Sequence, residues 1–226
     1  MTTVDTSLPG TGSRLLREAV YEQLRADMIS CRLAPGTEIR EAELAARFDM
    51  SKSPVRDALM RLEREGLVIS LPRQGYRVAP VSLSDVLDMF HLRAALERAC
   101  MERIARYASD AQLKELDSFR HFDASAWDGG FIAYNRAFHR HLAQLGGNPR
   151  MRDQLIVLID LMERAVQMSL NTIKRRDPQS LIDEHCGIID ALQAREVRRA
   201  QRLVEQHTAA ASKRVSNAIS KSLVTS

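Results

Sequence analysis

The chain is poor in the residues that staple, kink or interrupt a fold. Its three cysteines, Cys31, Cys100 and Cys186, are odd in number, widely spaced and form no CxxC pair. A disulfide framework is therefore excluded, and reduced, buried thiols in a cytosolic protein are expected. Aromatics make up only 5% of the 226 residues, with a single Trp. Cores built from so few rings must rest on Leu, Ala, Ile and Met, which suits helices. Seven Pro and ten Gly cluster at apparent boundaries instead of breaking the long segments. No long hydrophobic run exists: the longest, Leu155–Met162, is interrupted by Asp160 and is far too short to span a bilayer. The opening MTTVDTSLPGTGS has no apolar stretch of the signal-peptide kind. The expectation is a soluble, cytoplasmic chain with no membrane partner. Charge of one sign is also scarce. The formal balance is only +4, which by itself does not call for nucleic acid.

What is present is periodicity. Residues 1–13 are rich in Thr, Ser, Gly and Pro and read as a disordered tail. Leu15, Leu16, Val20, Leu24, Met28 and Ile29 then recur at helical spacing and predict a helix over 15–30. The turn Ala34-Pro35-Gly36-Thr37 ends it, and a short second helix follows over 41–48. Asp49-Met50-Ser51 makes a tight turn into a third helix, capped by Ser51 or Ser53, with Pro54 in its first turn, where a missing N–H is harmless. Val55, Leu59 and Leu62 form its apolar stripe and Gly66 stops it. Two short strands, 67–71 and 76–81, flank Pro72-Arg73-Gln74-Gly75. Over 51–80, six Lys or Arg face three acids, a local excess suited to phosphate contact.

A new segment opens at Ser82-Leu83-Ser84-Asp85, with Ser84 as its expected cap. Everything from there to residue 221 reads as helix. Breaks are expected at 107–110, 125–130, 146–149, 176–178 and 193–195. The fold class is thus mostly α: a winged helix-turn-helix over 14–81, a helical bundle over 82–221 and a short tail over 222–226. The stripe Leu155, Leu158, Ile159 and Met162 reads as bundle core.

The stretch PGTEIREAELAARFDMSKSPVRDALMRLEREGLVISLPRQGYRVAPVS closely resembles the winged-helix module of GntR-family bacterial transcription regulators. The helical remainder resembles the FadR-type effector domain, called FCD, so the likeness covers roughly residues 15–215. It implies double-stranded DNA as partner, a palindromic operator and a homodimer. It also implies that the start of the third helix enters the major groove, with Ser51, Lys52, Ser53, Pro54 and Arg56 at the matching positions. Lys52 and Arg56 are four residues apart and share a face; Arg56 can read guanine with its planar fork, whereas Lys52, where many relatives carry Arg, is a point charge better suited to phosphate. Arg40 and, in the wing, Arg73 with Gly75 are further candidates. Ala42 departs from relatives that place a basic residue nearby.

Asn135 and His139 in YNRAFHRHL are also four residues apart and face one way. His185 and His207 lie 22 residues apart, about 33 Å along one continuous helix. The turn expected near 193–196 would instead bring them to similar heights on antiparallel helices. In FCD proteins an Asp or Asn four residues before a His, with two later His, holds a divalent metal. The resemblance therefore implies Asn135, His139, His185 and His207 as ligands, for Zn²⁺ or Ni²⁺, with Mn²⁺ also admissible. Asn in place of the commoner Asp leaves the site about one unit more positive, which favours a small carboxylate effector. Arg93, in FHLRAALE, stands where relatives hold an effector carboxylate; an ion pair with Glu97 one turn on is the plainer alternative. His91, His121 and His141 do not match the pattern.

The expected function is effector-controlled transcription regulation, repression relieved by ligand, without catalysis. Two rivals are a constitutive DNA binder with a purely structural bundle, and a metal enzyme using Asp183 or Glu184 as base.

Overall fold

The computed structural model describes residues 11–172 and 178–224. Most of the expected N-terminal tail, residues 1–10, and the break at 176–177 lie outside the described residues, as do 225–226. The chain divides into two compact units at Pro80/Val81.

The first unit holds α1 (Thr11–Ile29), β1 (Glu38–Ile39), α2 (Glu41–Arg47), α3 (Lys52–Arg64), β2 (Val68–Leu71) and β3 (Gly75–Val78). α1 begins four residues before the expected start, so residues 11–13 are helical and do not belong to a tail. Val20, Leu24 and Met28 of α1 and Val55, Leu59 and Leu62 of α3 are all buried to 1% exposure or less. Each such side chain contributes roughly 1.5–3 kcal/mol on leaving water, and that packing holds α3 in place. Gly66 ends α3 as expected. It takes φ +73°, its N–H donates to Glu63 O, and Leu67 N–H donates to Leu62 O, the paired closure that favours glycine after a helix. The sheet is antiparallel in the order β1-β3-β2. β1 was not expected. Two residues carry no period to read; they are extended because Glu38 and Ile39 pair with Arg77 and Tyr76. At that crossing a Cβ on Gly75 would lie 2.6 Å from Ile39 O, so the wing closes on β1 only with glycine there.

The second unit is all helical: α4 (Leu83–Tyr107), α5 (Asp110–Glu115), a 3₁₀ turn (Leu116–Phe119), α6 (Gly130–Leu145), α7 (Pro149–Thr172), α8 (Gln179–Gln193) and α9 (Val197–Val224). The breaks at 107–110, 125–130, 146–149 and 193–195 fall between these helices. Ser82, not Ser84, caps α4, its Oγ accepting from Asp85 N–H at 3.4 Å; Ser84 instead lies inside the first turn, 2.9 Å from Ser82 Oγ. α9 continues to Val224, past the expected end at 221. Leu155, Leu158, Ile159 and Met162 are buried, as the apolar stripe requires.

α8 reverses into α9 through Ala194-Arg195-Glu196. Arg195 takes φ +56°; its N–H donates to Leu192 O at 2.9 Å and Glu196 N–H to Ala191 O at 2.8 Å. This is the same closure as at Gly66, made by a residue that pays for left-handed backbone with its side chain. The guanidinium donates to Ala105 O (3.1 Å) and Ala108 O (2.9 Å) at the end of α4. Arg195→Ala is expected to destabilise this unit by about 1–3 kcal/mol, since two carbonyl partners are lost. Arg195→Gly should lose about 1 kcal/mol less, because it relieves the backbone. Urea unfolding followed by the fluorescence of Trp127, which packs on Phe119 and Tyr134, measures both; equal stability of all three proteins would contradict this role.

Candidate metal centre and DNA-reading face

The reversal at 194–196 places His185 of α8 and His207 of α9 beside His139 of α6. Ring centroids are 5.6 Å apart for His139–His185, 5.1 Å for His139–His207 and 5.0 Å for His185–His207. One nitrogen from each ring lies within 4.8 Å of the other two. The rings are 2%, 0% and 4% exposed for His139, His185 and His207, so three polar groups meet in an otherwise apolar interior.

Each ring is oriented by a partner on its far side, and those partners fix the protons. Tyr134 Oη donates to Phe119 O at 2.6 Å; the 3.2 Å approach of His185 Nδ1 to the same oxygen therefore requires Nδ1–H as donor. His207 Nδ1 lies 2.6 Å from Glu184 Oε2. His139 Nδ1 lies 2.9 Å from Glu97 Oε1, off hydrogen-bonding alignment, yet tolerable beside a carboxylate only with the proton on Nδ1. With each Nδ1 protonated and the rings neutral, all three Nε2 atoms carry lone pairs. His185 Nε2 is buried without any partner, and the Nε2 atoms of His139 and His207 face each other at 3.2 Å. Phe138 stacks on His185 with centroids 4.0 Å apart and holds its plane.

Burial and the Arg93 guanidinium push His139 down to about 4, and burial pushes His185 well below its ordinary value. Neutral imidazole is the metal-ligating form. Tetrahedral Zn²⁺ with bonds near 2.05 Å sets its nitrogens about 3.3 Å apart, close to the 3.2 Å between His139 and His207. The donor set therefore fits a divalent cation, with carboxylate and phenol partners behind each ring.

Beside the three rings a cavity of about 190 Å³ opens, lined among others by Arg93, Asn135, His139, His207 and Arg214. Asn135 lies one turn before His139 on this wall. Arg93 makes the expected pair with Glu97, Nε to Oε1 at 3.0 Å, while its Nη2 is buried without a partner. Arg93 thus keeps the plainer ion pair through Nε, and its second terminal nitrogen is a buried donor left over.

Glu97 is what sequence reasoning missed. It appeared only as a possible partner for Arg93, yet it is 1% exposed and serves Arg93, His139 and Thr208, whose Oγ1 donates to it at 3.1 Å. Burial alone would raise its pKa; Arg93 overrides this and holds the carboxyl well below the usual range. The only signal in the sequence was its placement one turn after Arg93. Glu184 lies behind His207, on the side away from Nε2, and Asp183 accepts from Gln179 at the surface. Neither faces the centre as a general base would.

In the first unit Arg40, Ser51, Lys52, Ser53, Arg56 and Arg73 are all exposed, with Pro54 and Gly75 half-buried. Ser51 stands at the N-cap of α3, but its hydroxyl caps no N–H. Arg73 sits at the wing tip with φ +64°. Arg56 is held by Glu41 through two hydrogen bonds, Nε–Oε1 at 2.9 Å and Nη2–Oε2 at 2.7 Å. Gly75 has the structural reason given above, independent of any DNA contact. Among the described residues, no helix is long and apolar enough to cross a membrane.

A winged helix followed by a helical bundle with a polar cluster inside an apolar core is the architecture of a DNA-binding transcription regulator. Residues 16–78 match the family model described as bacterial regulatory proteins, gntR family, and residues 88–210 match the FCD domain. The HTH-type transcriptional repressor RspR of Escherichia coli strain K12 is 30% identical over 209 residues, covering 91% of this chain and 90% of that protein. The HTH-type transcriptional repressor GlaR of the same strain is 28% identical over 201 residues, covering 83% and 90%. Among solved structures, E. coli McbR/YncC superposes with a TM-score of 0.72 at 20% identity, over 85% of this chain and 93% of that one. A GntR regulator from Rhodococcus sp. RHA1 gives 0.70 at 20% identity, over 88% and 96%. The chain belongs to the GntR family, in its FCD-bearing branch, and is a DNA-binding regulator of transcription; the relatives are regulators and not enzymes.

Glu97→Ala would leave Arg93 buried without its counter-charge and should destabilise the helical unit by about 3–5 kcal/mol. Glu97→Gln, which keeps the shape and an acceptor, should cost about 1–3 kcal/mol. Trp127 fluorescence in urea reads both, and a loss below 1 kcal/mol for Glu97→Ala would reject the role.

Proposed function

We propose that the chain is a repressor whose hold on a palindromic operator is controlled by a small carboxylate bound beside a divalent metal in the helical unit. The observation that carries this reading is the trio of inward-facing Nε2 lone pairs, two of them 3.2 Å apart and the third without a partner. With both rings neutral, lone pairs so close repel, and a cation between them relieves that repulsion. His139, His185 and His207 would hold the ion, with the Asn135 side-chain oxygen as fourth ligand; Zn²⁺ or Ni²⁺ suits this set, and Mn²⁺ is admissible. The ion would supply electrostatic anchoring for an anionic oxygen.

The chain's own residues do the rest. Arg93 offers its unpartnered Nη2 to the same anion, and Glu97 keeps that guanidinium oriented. The cavity admits a ligand of a few carbons. In the winged helix, Lys52 and Arg56 would enter the major groove and Ser51, Ser53 and Pro54 would line its phosphate edge. Arg40, Arg73 and Gly75 would flank it. A homodimer would present two such helices to a two-fold site. A ligand shifts operator affinity only through unequal binding to two arrangements. Release of the operator on binding follows the repressor names of the RspR and GlaR relatives.

Isothermal titration with Zn²⁺ should give one ion per chain. His185→Ala should weaken binding by more than the roughly 10–100-fold that follows loss of an outer partner; equal affinity in the two proteins would reject the centre. A carboxylate at 100 times its Kd should stabilise the metal-loaded chain by about 2.7 kcal/mol, and chelator or Arg93→Ala should abolish that shift. A panel of small carboxylates producing no shift would reject the effector class.

A further inference from the structure

The contact between Glu41 and Arg56 bears on how DNA is read. Glu41 is the first residue of α2 and Arg56 lies in the second turn of α3. The carboxylate takes Arg56 side-on, through Nε–H and one N–H of Nη2. A guanidinium carries five N–H donors, so three remain: two on Nη1 and one on Nη2. One on each terminal nitrogen lies along the outer edge of the plane, directed away from Glu41, and the third points back toward Cδ. That edge presents two parallel donors, the pattern that guanine O6 and N7 accept in the major groove. Arg56 therefore need not leave Glu41 to read a guanine.

Glu41 is well placed to stay ionised. Its side chain is only 20% exposed, against 57% for Arg56. The hydrogen bonds from Arg56 outweigh burial and hold its carboxyl below the usual range, with the charges of Arg56 and Lys52 adding to this. A negative charge beside the duplex works against phosphate attraction, so general affinity does not explain it. A planar fork locked in one orientation does.

The geometry points to Glu41 as a positioning residue that turns Arg56 into a guanine reader, at the expense of non-specific affinity. This rests on the assignment of Arg56 to base reading. A flexible Arg56 without Glu41 would still find phosphate, since any orientation of a cation serves there, but would lose base selectivity. Specific and non-specific binding should thus move in opposite directions, which a purely structural role for Glu41 would not produce.

Binding-site selection from a randomised duplex library, using the full chain, tests it. Wild type, Arg56→Ala, Glu41→Ala and Glu41→Gln are compared, with melting temperatures to confirm folding. Arg56→Ala should abolish a guanine preference at one position of each half-site. Glu41→Ala should weaken preference at that same position by about tenfold, the size of one good bidentate base contact. Its affinity for random duplex should hold or rise, with a salt slope steeper by about 1. Glu41→Gln, with one acceptor left, should fall between. Full retention of the guanine preference in Glu41→Ala would overturn the role, as would a tighter and equally selective protein, which would make Glu41 a competitor of DNA. Should Arg56→Ala leave every position unchanged, the base-reading assignment fails and the role of Glu41 falls with it.

Discussion

The helical unit depends on a chain reversal of three residues. Between α8 and α9, Arg195 accepts left-handed backbone and fastens its guanidinium to the last carbonyls of α4. The strain of about 1–2 kcal/mol for a residue with a Cβ is offset by hydrogen bonds that also satisfy the end of another helix. Without the reversal, His185 and His207 would lie about 33 Å apart on one rod. With it, they share a pocket with His139, and α9 lies along α4 as the most extensive helix pair of the unit.

That pairing brings Thr208 of α9 against Glu97 of α4. A carboxylate removed from water is a poor way to gain stability, because desolvation consumes most of what ion pairing returns. Here it has three partners, and each belongs to a different part of the site: an arginine at the cavity wall, a ring of the histidine trio and a hydroxyl from the opposing helix. Glu97 thus joins the imidazole trio to Arg93 on the wall of the cavity that His139 and His207 also line.

The sequence made the helices and their order legible because the apolar periods are long: α1, α3 and the 155–162 stripe each show several turns of one buried face. Gly66 was legible for the same kind of reason, since a glycine after a helix has one common use. β1 was not, because two residues have no period and are extended only through partners nearly forty positions away. Ser84 is the cap the sequence suggests and Ser82 is the cap observed, since either hydroxyl can cap and only the path of the preceding chain chooses. In the candidate site the three histidines could be grouped once a turn between α8 and α9 was expected. Glu97 and Glu184 could not be assigned, because a Glu on a helix is ordinarily solvated and nothing local marks one that faces inward. Asn135 lines the expected wall. Arg56 is legible as a groove candidate from its place in the motif, but its pairing with Glu41 is not, because it joins residues fifteen apart on separate helices.

α4 runs unbroken for 25 residues, capped by Ser82 at one end and closed at Ala108, where Arg195 accepts the load at the other. Glu97 sits fourteen residues beyond Leu83, about 21 Å along the axis at 1.5 Å per residue. Val86 and Phe90 on the intervening turns are buried against Met162 and Ala165 of α7 and Val215 and Ile219 of α9, so this half of the rod is clamped by two other helices. Its Leu83 end emerges three residues past Pro80, the last residue of the winged helix unit. One packed helix thus covers the whole distance from the buried carboxylate to the start of the helical unit.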